Sequence, residues 1–157
     1  MTMVLAAMQP NIHLNVGAVL VAAIVAWVIG ALWYGPLLGK PWRKEMGVPE
    51  GGPPPGGEMA KSLAINFVGL LLMSFVLMHD VLVFRPSTWI PGQVDDPSWI
   101  YGLFGGVFIW IGYVVPLLLN AVAFEKRSWK LFGINASYQL VALLAMAMIL
   151  SYWRTVA

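Results

Sequence analysis

There is no cysteine in the 157 residues. That excludes disulfides, thiolate metal sites and cysteine nucleophiles. Charge is scarce too: Asp, Glu, Lys and Arg make up 10% of the chain, against about 25% in a soluble domain. The composition is not that of a soluble domain, and hydrocarbon is expected to be the main solvent. A glycine-rich phosphate loop, a serine nucleophile elbow and a catalytic pair of carboxylates are also missing. No catalysis is therefore expected, and no catalytic residue, metal or cofactor is assigned. The start, Met1-Thr-Met-Val-Leu-Ala-Ala-Met8, lacks the cationic leader of a cleaved signal peptide. The first apolar run is expected to be a retained anchor.

What is present is apolar length. A spanning helix needs about 20 apolar residues, and four runs reach that, at about 14–38, 62–84, 99–123 and 131–153. The expected fold is all-α, an integral membrane four-helix bundle in one domain. Residues 48–58 contain Gly51-Gly-Pro-Pro-Pro-Gly-Gly57 and are expected to form a flexible linker without helix or strand. Residues 85–98 read as a turn-rich loop, with Trp89 and Trp99 placed as interface anchors. Pro36 is expected to end or kink the first span. Pro116 should kink the third and free the carbonyl of Gly112.

Orientation follows from the basic residues. The first loop carries Lys40, Arg43, Lys44 and Lys61, and the third Lys126, Arg127 and Lys130. The second loop has Arg85 and the C-terminal end Arg154, so the count is seven against two. Positive charge favours the cytoplasmic side. The first and third loops are expected there and both termini outside, periplasmic in a bacterial inner membrane. Charges placed at a membrane face make anionic lipid the expected partner, rather than nucleic acid. Glu125 is the one acid in the third loop and is expected to pair with Lys126, Arg127 or Lys130 at a wet interface.

Small residues mark the expected helix contacts. Ala18, Ala22, Ala26 and Gly30 recur every four residues on one face, and Gly102 and Gly106 repeat that spacing in the third span. Lys61-Ser-Leu-Ala-Ile-Asn66 aligns with Lys130-Leu-Phe-Gly-Ile-Asn135 at three identities. Each segment opens the second helix of a hairpin. The two hairpins read as a parallel repeat about an axis along the membrane normal.

Three stretches together resemble a known family. They are Gly30-Ala-Leu-Trp-Tyr-Gly-Pro-Leu-Leu-Gly-Lys-Pro-Trp42, Leu118-Leu-Asn-Ala-Val-Ala-Phe-Glu-Lys-Arg127 and Leu131-Phe-Gly-Ile-Asn-Ala-Ser-Tyr-Gln-Leu-Val141. The chain resembles the bacterial and fungal membrane family called domain of unknown function 1761, over about residues 15–153. The resemblance implies a small four-helix integral membrane protein and no assigned activity. It does not extend to the Pro/Gly linker.

Polar residues inside the apolar runs are the candidates for chemistry. Asn66 and Asn135 each lie five residues past a lysine, about 7 Å deeper at 1.5 Å per residue. Asn120 lies at a similar depth before Glu125, while Gln139 shares a helix face with Asn135 and Tyr138 lies close to it. Three helices are thus expected to bring amides to one inward-facing layer. That layer is readable as interhelical hydrogen bonding, worth about 0.6 kcal/mol per contact, as a ligand or ion site, or as a headgroup contact. His13, His79, Met8, Met73, Met78, Met146 and Met148 carry soft or imidazole ligands, but no His or Met spacing supports a metal site. Packing is the expected role of the methionines, and His79-Asp80 reads as a solvated helix end. The leading functional expectation is a scaffold or accessory subunit, in a homo-oligomer or a larger membrane complex. The alternative is a small transporter or channel whose site is Asn66, Asn120 and Asn135.

Overall fold

The computed structural model describes residue 10 and residues 12–48 and 56–153, and all of its regular elements are helical. Helix α1, Val16–Leu32, begins at Asn15, whose side chain accepts a hydrogen bond from the Ala18 backbone N–H at 3.0 Å. It satisfies one of the donors left free in a first turn. The helix runs on through a π-helical turn, Trp33–Leu37, which contains Pro36. There the Leu38 N–H reaches back five residues to the Trp33 carbonyl, at 2.8 Å. The wider turn absorbs the donor that Pro36 lacks, so the chain stays helical. A short helix α2, Gly39–Met46, follows and stops at Gly47, which takes a left-handed φ of 68°.

Helix α3, Gly56–Val83, starts inside the expected linker. Gly56 and Gly57 form its first turn because Glu58 complements the positive helix end there. Met59, Ala60 and Lys61, all good helix formers, follow. Residues 49–55 of that linker, Met8 and Arg154 lie outside the described residues. The next loop holds one helical turn, α4, Pro86–Trp89, with proline at its favoured first position. Helix α5, Ser98–Ile109, passes through a second π turn, Trp110–Val114, into α6, Val115–Ala123. Helix α7, Trp129–Tyr152, is capped by the Ser128 hydroxyl. Among the described residues, four continuous helical stretches are long and apolar enough to cross a membrane: Val16–Leu37, Gly56–Val83, Ser98–Ala123 and Trp129–Tyr152.

Helix α7 packs against α1, α3 and α5, and it supplies the centre of the core in Ala142, Leu143, Met146 and Ala147. Ala18, Ala22 and Ala26 of α1 are fully buried, with Leu77 and Met78 of α3 in the same core. Small side chains let the backbones approach. Consequently the Ser74 hydroxyl of α3 reaches the Val19 carbonyl of α1 at 3.0 Å. Glycine is required at two of these contacts. A methyl on Gly30 would stand 2.9 Å from the Tyr138 hydroxyl, and one on Gly102 would stand 2.7 Å from the Met148 sulfur and 2.8 Å from the Ser151 hydroxyl. Contact between α3 and α5 is much slighter. It includes the stretch where Gly105 faces Asp80 and Val81.

Candidate functional site

The end of the molecule that carries the basic loops is tied together by aromatic and polar side chains. The Tyr34 hydroxyl donates to Asn135 Oδ1 at 3.0 Å, joining α1's π turn to α7. Tyr138 packs its ring 5.0 Å from that of Tyr34, and its hydroxyl points to the Ala26 carbonyl at 3.5 Å. The two π turns each begin with a tryptophan aimed at α7. Trp33 donates its indole N–H to the Ile134 carbonyl at 3.2 Å, and Trp110 donates to the Ala136 carbonyl at 2.8 Å. The Gln139 carbonyl oxygen is buried without a partner among the described residues.

The expected layer of three amides does not form. Asn135 is partly buried, whereas Asn66 and Asn120 are exposed. The reason for Asn120 is a change of helical register. Along α5, burial falls at Gly102, Gly105, Gly106 and Ile109, and an unbroken α-helix would continue it through residues 113, 117 and 120. The π turn holds one residue more, which rotates everything after it by roughly 100°. Burial resumes instead at Val114, Leu118 and Ala121, and Asn120 faces out. Asn66 is exposed for a different reason: α3 buries no residue fully before Leu70.

Among the basic residues, Lys40, Arg43, Lys44, Lys61, Lys126, Arg127 and Lys130 are all exposed. Glu125 pairs with Arg127 at 3.6 Å, both well exposed. Lys130 pairs instead with Glu45 at 3.5 Å. The Ser128 hydroxyl donates to the same Glu45 carboxylate at 2.6 Å while accepting from the Leu131 N–H. That Ser128 bond, then the nearby Lys130 and Lys44, outweighs partial desolvation and holds the Glu45 carboxyl below its ordinary range. Sequence reasoning misses Glu45 because its partners lie in a loop more than eighty residues away.

The opposite end is organised on Arg85. Its guanidinium donates to Asp95 at 3.2 Å, to Ser98 at 3.4 Å and to the Ser151 carbonyl, and it lies 4.7 Å from the Tyr101 ring centroid. Asp95 also accepts from the Ser87 backbone N–H at 2.9 Å and from its hydroxyl at 2.8 Å. Burial pushes the Asp95 carboxyl up, but the Ser87 bonds and Arg85 together hold it below its ordinary value. Arg85 therefore clamps the ends of α3, α5 and α7. Beside it opens a polar cleft of about 650 Å³ that also takes in His13 and Asp96. Arg85, the one arginine or lysine among the described residues that line the cleft, is engaged by Asp95.

A second cavity, of about 530 Å³, lies between α3 and α5 and is mostly apolar. Phe84, Tyr101, Phe104, Phe108 and Tyr113 line it, with Asp80 as its one charged residue among those described. Asp80 is not the solvated helix end expected from the sequence. It is partly buried, and its Oδ2 faces the space left by Gly105. A signal was available: Leu70, Ser74, Leu77 and Val81 form the buried stripe of α3, and Asp80 lies beside it at helical spacing. His79 turns away to the Phe75 carbonyl, at 3.1 Å. The described residues contain no group of three or more His, Asp or Glu able to hold a metal ion. Met78 and Met146 are core residues, and Met148 packs against Gly102.

These features define an all-helical protein with four potential membrane spans, tied at one end by Tyr34–Asn135 and at the other by Arg85. A family model described as "Protein of unknown function (DUF1761)" matches residues 17–151, and the chain belongs to that family. No curated protein and no solved structure matches it.

Proposed function

We propose that the chain is an integral membrane four-helix protein that acts as a scaffold or accessory subunit, by associating with other helices in the membrane. The observation that carries this reading is the exposure of Asn66 and Asn120 on apolar helices. An amide left without a partner in hydrocarbon costs roughly 2–7 kcal/mol by transfer from water. Two such amides favour a second chain, either another copy or a different subunit, lying over α3 and α6 at that end. The small-residue faces are used inside the chain, so they do not supply this surface. The alternative, a transporter built on Asn66, Asn120 and Asn135, needs the three amides to converge, which their exposures do not support.

The absence of cysteine makes the association testable. A single cysteine at Leu63 or Leu119, beside the amides, is expected to give a specific cross-linked species in native membranes. Asn66→Leu or Asn120→Leu should reduce its yield. The reading fails if no adduct forms and both leucine variants leave the size of the extracted complex unchanged.

The orientation that supports anionic lipid as a further partner places the basic loops in the cytoplasm and both termini outside. The exposed Lys40, Arg43, Lys44, Lys61, Lys126, Arg127 and Lys130 would then meet the anionic headgroups. A reporter fused after Ala157 is expected to be active only in its periplasmic form, and one inserted at Gly51 only in its cytoplasmic form. A cytoplasmic C-terminus would overturn this orientation.

A further inference from the structure

The groove between α3 and α5 has a composition that selects its ligand. Its walls are aromatic, from Phe84, Phe104, Phe108, Tyr113 and Tyr101, and its single charge is the carboxylate of Asp80. Neighbouring charges do not neutralise that carboxylate. Arg85, less than two turns away, is committed to Asp95, Ser98 and the Ser151 carbonyl. His79, next in sequence, is bonded to the Phe75 carbonyl. Among the described residues, no ion pair involves Asp80. A carboxylate in an apolar site is costly unless it is protonated or paired with a cation.

The walls then set the kind of cation. A hydrated metal ion needs several oxygen or nitrogen ligands, and the groove offers one carboxylate among aromatic rings. An organic cation is attracted to ring faces by the aromatic quadrupole, and aromatic cages of this kind hold quaternary ammonium groups. The volume of about 530 Å³ suits a small organic molecule. Access is lateral. Phe104 and Phe108 stack at 5.8 Å on the rim, and both are exposed, as are Phe84 and Tyr113. With the helices in a membrane, that rim faces the lipid tails.

We propose that the groove between α3 and α5 binds a lipophilic organic monocation, an ammonium or phosphonium bearing apolar substituents, with Asp80 as its counter-ion and the rings of Phe104, Phe108 and Tyr113 around it. Gly105 stands opposite the carboxylate: a methyl there would lie 3.4 Å from Asp80 Oδ2 and 3.4 Å from Val81, at ordinary contact distance. The inference rests on the membrane placement proposed above, but not on the scaffold role: the cation site and the Asn66–Asn120 surface lie toward opposite ends of α3.

The test compares two ions of one shape and opposite charge, tetraphenylphosphonium and tetraphenylborate, by equilibrium dialysis against the full chain in lipid nanodiscs. The wild-type protein is expected to bind tetraphenylphosphonium saturably and not tetraphenylborate. Asp80→Asn, which keeps the shape of the side chain, should weaken binding by roughly tenfold or more, as loss of one half of a desolvated charge pair does. Phe108→Ala removes a rim residue that is 65% exposed, so the core is untouched, and it should weaken binding by roughly two- to thirtyfold. Unchanged phosphonium binding in Asp80→Asn overturns the proposal. So does saturable binding of tetraphenylborate, which would make the groove merely apolar, and so does the absence of phosphonium binding in the parent. Cross-linking at Leu63 or Leu119 is unaffected by any of these outcomes.

Discussion

Arg85→Met is expected to destabilise the protein by about 2–4 kcal/mol, somewhat less than the roughly 3–5 kcal/mol lost when one partner of a fully buried pair is removed. The discount reflects side chains that are 16% and 20% exposed in Arg85 and Asp95. Methionine retains the length that packs over Tyr101, so the loss is mainly one of charge and hydrogen bonds. It leaves Asp95 without its cation and the Ser151 carbonyl without its donor. The double variant Arg85→Met/Asp95→Asn should recover part of the loss, because no unpaired charge remains. Thermal unfolding in mild detergent measures both, and equal midpoints for Arg85→Met and parent would refute the clamp. The pH dependence has a definite sign. Because the folded-state pKa of Asp95 is depressed, its stabilisation is complete above about pH 5, beyond the unfolded value near 3.9. It is lost as the pH falls through the folded value. Asp95→Asn should therefore cost stability at neutral pH and flatten the acid side of the profile.

The second large effect is expected at Ala22. This side chain has no exposed surface and lies where α1 enters the core shared with α3 and α7. Ala22→Leu adds three carbons to a space that holds none of them. Overpacking of this kind typically costs about 1–3 kcal/mol, and the helices here have little room to part. The Ser74 hydroxyl bonds α3 to the Val19 carbonyl one turn away, and Tyr138 closes on Gly30 further along. Leu20→Ala on the opposite, exposed face of the same helix is the control and should be near neutral. If Ala22→Leu unfolds at the same detergent concentration as the parent, the alanine face does not hold the helices together.

Much of the fold was legible because hydrocarbon makes demands that short-range patterns record. Four apolar runs set the number of long helices, and the spacing of Ala18, Ala22 and Ala26 marked a face that is buried. What failed was the step from depth to direction. Asn120 was placed inward because an unpartnered amide in hydrocarbon is costly, whereas the wider turn at Trp110–Val114 turns it outward. The linker reading ran three residues too far: it carried the Pro/Gly run through Gly56 and Gly57 and overlooked the acidic residue and helix formers that follow them. Tyr34, Glu45 and Arg85 were illegible as partners because each meets a residue from a distant loop or helix, and no local spacing encodes such a meeting. Asp80 was read from its position near a helix end, where a carboxylate ordinarily finds water, and not from its place beside the buried stripe of α3.

The two π turns also bear on how such a chain tolerates insertion and deletion. Each accommodates one residue more than an α-helical turn, and each starts at a tryptophan bonded to α7, at carbonyls only two residues apart. A residue lost from 110–114 would convert the bulge into ordinary helix and carry the Asn120 amide from the outside to the inside, with no substitution anywhere. The same loss from 33–37 would swing α2 and its basic residues about the axis of α1. Single-residue gaps at these two points therefore switch which face the protein presents.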